Sequence, residues 1–145
     1  MTIYLDSSAL VKRYSVEEGS EEVVRIMNQS DVIGTCIITR AEVAAAFAKG
    51  VRIAVTSKED AFQDLQAFRK DWDDFVRLDL TETIVSRADN LAWDHQLRGY
   101  DAVHLASALV WQEALDESVV LATYDKQLWS AAKETGLEVF PNDLE

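Results

Sequence analysis

Asp6, Glu42, Asp101 and Asp125 are the residues whose types and settings carry chemistry in this chain. Asp6 follows the short apolar run Ile3-Tyr4-Leu5, and Asp125 follows Val119-Val120-Leu121-Ala122-Thr123-Tyr124. Both therefore stand where a buried strand should end and a helix begin. Glu42 opens one helical pattern and Asp101 another. Ligand sites of open α/β sheets form in the crevice outside the carboxyl ends of the strands, so acids distant in sequence meet there. Mg²⁺ and Mn²⁺ prefer carboxylate and water oxygens, and a cluster of these acids is raw material for such a site. Each acid also has a structural explanation. Asp6, Asp101 and Asp125 precede helices, where Asp is a favoured N-cap worth about 1 kcal/mol over Ala. Thr39-Arg40-Ala41-Glu42 matches a capping box, in which Glu returns a hydrogen bond to the cap residue.

The elements that must position these acids alternate along the chain. A strand at residues 3–5 is followed by helices at 8–14 and 18–28, the second beginning at Ser15-Val16-Glu17-Glu18 as a capping box. The β-branched segment 32–38 reads as strand two, and a helix at 40–50 buries Val43, Ala44 and Phe47. Ala61, Leu65, Phe68 and Trp72 give an amphipathic helix, and 75–78 is strand three. Ile84, Ala88, Leu91 and His95 recur at helical spacing, as do Ala102, Leu105, Ala106 and Leu109. A strand at 119–122, a helix at 126–135 stopped by Gly136, and a strand at 137–140 complete the series. Strands alternating with helices predict a three-layer α/β/α fold with a mostly parallel sheet of about five strands.

Composition sets outer bounds. At 145 residues the chain fits one domain, residues 1–145. With 48% hydrophobic and 28% charged residues, it has globular composition. Its apolar runs are too short to span a bilayer and its N-terminus lacks a signal peptide's pattern, so a cytoplasmic protein with no membrane association is expected. Cys36 is the only cysteine, which excludes an internal disulfide or a cysteine-rich zinc site and suits small core filler at a strand end. The net charge of −12 argues against simple electrostatic adhesion to nucleic acid. It does not exclude a nucleic-acid substrate, because bound cations reverse the local potential.

The acids lie in the contexts Ile3-Tyr4-Leu5-Asp6-Ser7-Ser8-Ala9-Leu10-Val11-Lys12, Thr39-Arg40-Ala41-Glu42, Arg98-Gly99-Tyr100-Asp101-Ala102-Val103-His104-Leu105-Ala106 and Leu121-Ala122-Thr123-Tyr124-Asp125-Lys126-Gln127-Leu128. Together, in this order and spacing, they closely resemble PIN-domain ribonucleases, particularly VapC-type toxins, over nearly the whole chain. The resemblance implies that Asp6, Glu42, Asp101 and Asp125 are the metal-coordinating acids of a Mg²⁺- or Mn²⁺-dependent endoribonuclease. Asp6 and Asp101 are the first choices for direct ligands, and Glu42 and Asp125 act through water. Thr123 matches the family's hydroxyl position, bracing an acid or a metal-bound water, and Ser7 is a weaker pocket donor. The resemblance further implies an RNA substrate, a cognate antitoxin that occludes the site, and a homodimer.

Other residues have plainer readings. His104, amid Ala102, Leu105 and Ala106, reads as a packed, hydrogen-bonded helix residue. Arg98, Arg40, Lys12 and Lys126 flank the acids and default to solvated charge. Trp72, Trp93, Trp111 and Trp129 fit core or interface packing. A signalling receiver domain is the first rival, but Asp6 is followed by Ser7-Ser8 rather than a second acid, and no phosphoacceptor follows strand three. A haloacid-dehalogenase-type phosphatase lacks its second aspartate two positions after Asp6. A non-catalytic PIN-like binding module is the non-enzymatic rival.

Overall fold

The structure, a computed structural model, describes residues 1–144. Its sheet is wholly parallel, with strands β1 (Thr2–Leu5), β2 (Val32–Cys36), β3 (Val76–Leu78), β4 (Val119–Ala122) and β5 (Glu138–Phe140) in spatial order β3-β2-β1-β4-β5. From β1 the chain winds outward through β2 and β3, then crosses back to place β4 on the other side of β1. The winding therefore reverses between β1 and β4, where the helices that follow the strands diverge and leave a crevice. Asp6 and Asp125 follow those two strands.

Strand alternation sends residues to two separate cores. Ile3 and Leu5 face one side of the sheet, with α1 (Ser7–Tyr14), α2 (Ser20–Gln29), α3 (Thr39–Arg52) and α4 (Lys58–Asp71). Tyr4 faces the other, with α5 (Glu82–His95), α6 (Gly99–Leu115) and α7 (Lys126–Glu134). These are the three expected layers. All four residues of β4 are buried, as befits a central strand covered on both faces. Cys36 is buried at the end of β2, as its type suggests. Gly136 takes φ +100° just after α7, the left-handed conformation a helix stop favours.

Helix α6 lies close against β2. A Cβ built on Gly34 would come within 2.5 Å of Trp111 Cη2, so the bare backbone of β2 is the seat for the Trp111 ring. That contact sets the height at which α6, and with it Asp101 and His104, stands over the sheet.

Several sequence expectations need correction. Helix α2 begins at Ser20 behind Gly19, and Ser20 Oγ accepts from the Glu17 amide, so Ser15 heads no capping box. A short 3₁₀ turn, Trp72–Asp74, precedes β3. Trp72 and Trp111 take the core role expected of them, while Trp93, 86% exposed on α5, is left with the interface alternative. No helix among the described residues is long and apolar enough to cross a membrane.

Candidate active site

Asp6 caps α1, its Oδ1 accepting from the Ala9 amide at 2.9 Å. A cap at a surface helix is ordinarily solvated, whereas Asp6 is only 2% exposed. Its burial follows from the fold, because the chain leaves the central strand beside β4 and the Asp6 amide donates to the Ala122 carbonyl. Ser8 Oγ donates to Oδ1 at 2.7 Å, and Thr123 Oγ1 donates to Oδ2 at 2.6 Å. Burial pushes the Asp6 carboxyl above its ordinary value, while His104 and the Thr123, Ser8 and Ala9 donors oppose that push. Thr123, fully buried, also accepts from the Asp125 amide at 3.1 Å, so one hydroxyl ties the ends of β1 and β4 together.

Asp125 is the N-cap of α7, with Oδ1 accepting from the Leu128 amide at 2.9 Å. Asp101 is not a cap. Arg98 stands at the boundary of α6 and Asp101 lies within its first turn, where an acid still complements the positive end of the helix. Arg98 joins the two acids, with Nε donating to Asp101 Oδ2 at 3.1 Å and Nη2 to Asp125 Oδ2 at 2.9 Å. Burial, followed by the charge of Asp125, pushes the Asp101 carboxyl up, and Arg98 pulls against it. The acids thus carry a structural counter-charge that sequence reading assigned to solvent. It sits on a side chain 75% exposed, free to swing away without repacking any core.

Glu42 belongs to no capping box. Helix α3 begins at Thr39 behind Ile38, and the buried Thr39 hydroxyl lies 2.8 Å from that of Thr35 instead of capping the helix. The Glu42 carboxylate reaches across to α6, where His104 Nε2 lies 2.6 Å from Oε1. The other ring nitrogen, Nδ1, lies 2.7 Å from the Tyr4 hydroxyl. His104 is a packed, hydrogen-bonded helix residue as expected, but its partner is one of the four acids. Burial lowers its pKa, yet the Glu42 hydrogen bond and the charges of Asp6, Glu42 and Asp101 outweigh that and raise it.

The four acids are therefore linked by two sets of contacts. Asp6, Thr123, Asp125, Arg98 and Asp101 form one chain of contacts, and Tyr4, His104 and Glu42 form another. Among the described residues no three acidic or imidazole groups close around one point. Ser8, rather than Ser7, serves Asp6, and its hydroxyl also accepts from the Tyr124 amide at 3.0 Å. Its position two residues after a strand-end Asp was the available signal. Ser8→Ala should cost about 1–2 kcal/mol in chemical denaturation, because it leaves the Tyr124 amide short of a partner. Lys12 is not freely solvated either: it pairs with Glu17 and lies 4.5 Å from the Tyr124 ring centroid.

Comparison with known proteins matches a PIN domain over residues 3–135. The chain belongs to the PIN-domain family. It is 34% identical over 147 aligned positions to Ribonuclease VapC45 of Mycobacterium tuberculosis, covering 99% of this chain and 97% of that relative. Among solved structures, a toxin-antitoxin complex from Klebsiella pneumoniae superposes with TM-score 0.67 at 15% identity, covering both chains completely. VapC20 of Mycobacterium tuberculosis, described as a Sarcin-Ricin loop cleaving toxin, gives TM-score 0.65 at 14% identity over 90% of this chain and 95% of its own. At those identities the likeness speaks for the PIN fold.

Proposed function

We propose that this PIN domain is an endoribonuclease that hydrolyses RNA phosphodiesters with a bound Mg²⁺ or Mn²⁺, and that it is the toxin of a toxin-antitoxin pair. The observation that carries the reading is Asp6, a carboxylate buried at the switch point of the sheet and braced on both oxygens. Asp6, Glu42 and Asp101 all act on the same buried His104, and a relative that matches over nearly its whole length is named a ribonuclease.

The donor set fits a hard divalent ion. Carboxylate oxygens are its preferred ligands, and Mg²⁺ commonly takes one or two of them and keeps several waters, so no closed protein cage is required. Asp6 and Asp101 would hold the ion directly, and Glu42 and Asp125 through water. Such an ion lowers the pKa of a bound water and offsets charge on the scissile phosphate. Thr123 fixes Asp6 and the Asp125 backbone in one hydrogen-bonded unit. Glu42 orients the attacking water, and Arg98, once released from the acids, is placed to meet an RNA phosphate.

An antitoxin suits the same surface. Arg98 already demonstrates that a guanidinium fits between Asp101 and Asp125. A partner's Arg or Lys inserted among the carboxylates would make the same charge-assisted bonds and block the site. The exposed Val85 and Tyr100, beside Val103 between α5 and α6, offer an apolar strip for a second copy of the chain. Asp79, the acid after β3, is exposed just beyond the end of an edge strand, which disfavours a receiver domain.

The test is cleavage of RNA by purified protein in Mg²⁺, Mn²⁺ or chelator, beside the Asp6→Asn variant. Cleavage should require metal and disappear in the variant. Activity that survives both would refute the mechanism, and metal or RNA binding without cleavage would favour the binding module. In a thermal scan, Mn²⁺ at a hundred times its Kd should stabilise the fold by about 2.7 kcal/mol. An unchanged melting temperature across a full titration would remove the metal from the reading.

A further inference from the structure

We propose that Tyr4 and His104 form a buried positioning couple that aims the Glu42 carboxylate into the crevice, which makes His104 a positioning residue of the site rather than core filler. The inference rests on the metal-nuclease reading above. Three elements from three layers meet at this ring: Tyr4 on β1, His104 on α6 and Glu42 on α3. A buried histidine needs partners for its own sake, but Glu42 does not, since its side chain is 23% exposed and water could solvate it. What the contact adds is a fixed direction for a side chain with three rotatable bonds.

The donor pattern is determined by chemistry. An ionised carboxylate only accepts, so Nε2 carries the hydrogen that points at Glu42. The Tyr4 hydroxyl can donate to a neutral Nδ1 or accept from a protonated one, so the Nε2–H bond survives in both charge states of the ring. Tyr4 also packs edge-on against the imidazole, with centroids 5.8 Å apart and planes at 70°, which restrains ring rotation. Tyr4 itself cannot shift readily, because it is fully buried in the central strand two residues before Asp6. The couple therefore references Glu42 to the same strand that fixes Asp6. Outer partners of this kind typically govern metal affinity by about 10–100-fold.

Two amides separate positioning from packing. In His104→Gln the amide nitrogen reaches the place of Nε2, whereas in His104→Asn it replaces Nδ1 and cannot reach Glu42. With whole protein and Mn²⁺ as the probe, calorimetry should place His104→Gln, which keeps the Glu42 contact and loses only the Tyr4 one, about threefold below wild type. His104→Asn should bind at least about tenfold more weakly. Adding His104→Asn to Glu42→Gln should weaken binding no further, because both remove one interaction. Equal loss in the Gln and Asn variants, wild-type affinity in His104→Asn, or additive losses in the double variant would each overturn the proposal. Should His104→Asn fail to fold, Tyr4→Phe deletes a single oxygen. It should weaken Mn²⁺ binding at least about threefold, and an unchanged affinity would overturn the proposal. Wild-type protein that binds no Mn²⁺ would end the metal reading and this inference together, whereas wild-type binding with insensitive variants ends the inference alone.

Discussion

Asp101→Asn should lower metal-dependent RNA cleavage at least about a hundredfold, the scale of losing one electrostatic or acid-base contribution. An amide is a poorer ligand for a hard divalent ion, so the loss should appear in kcat/KM and in Mn²⁺ affinity together. The fold should survive, because Asp101 caps nothing and its helix begins at Gly99 behind Arg98. Stability in chelator should even rise at neutral pH. Asp101 has a folded pKa raised by burial and by Asp125, so its contribution to stability is fully present below its unfolded pKa. That contribution is lost as pH rises through the folded value. The amide does not ionise and escapes that loss, while forfeiting only an exposed Arg98 contact of small worth. Thermal melts in chelator from pH 4 to 7 should show wild type falling relative to the variant. A fully active Asp101→Asn would return this acid to the role of a helix-dipole partner and remove the proposed ligand set.

The second large effect is structural. Gly34→Ala should destabilise the protein by about 1–3 kcal/mol, because the added methyl meets the Trp111 ring at a distance no relaxed contact allows. For a chain of this size that corresponds to a melting-temperature drop of very roughly 2–12 °C. Trp111 is buried among the α5–α7 core and has no open side into which to move. Trp111→Leu alone should also destabilise, but combined with Gly34→Ala the two should cost less than their sum, since the smaller side chain makes room for the methyl. Additive losses would show that β2 and α6 do not meet as described.

The elements themselves were legible because their signals are local. Strand β4 announces itself as Val119-Val120-Leu121-Ala122, and once its end is known Asp125 and Thr123 fall at the edge of the sheet. Asp6 was legible for the same reason. Misreadings arose where a short motif had a competitor elsewhere in the chain. Thr39-Arg40-Ala41-Glu42 fits the capping pattern, but Thr35 engages the threonine and His104, 62 residues away, engages the glutamate. Asp101 read as a cap because Gly99 and Tyr100 carry no apolar periodicity, although both already belong to the helix. Arg98 read as solvated because its second partner lies 27 residues onward. No single-chain pattern reveals such a bridge.

The Thr123–Asp6 hydrogen bond spans 117 residues of sequence. Contacts of that separation carry the greatest loop-closure cost and form late unless intervening structure brings them close. During synthesis the N-terminal strand must wait for β4, so β1, β2 and β3 can pair while the crevice still lacks its far wall. A chain released before β4 carries Asp6 and Glu42 but has neither Thr123 nor Asp125. The proposed cutting site is thus incomplete until β4 and the residues just after it have been made, and a chain that stops short of them does not hold the whole of it.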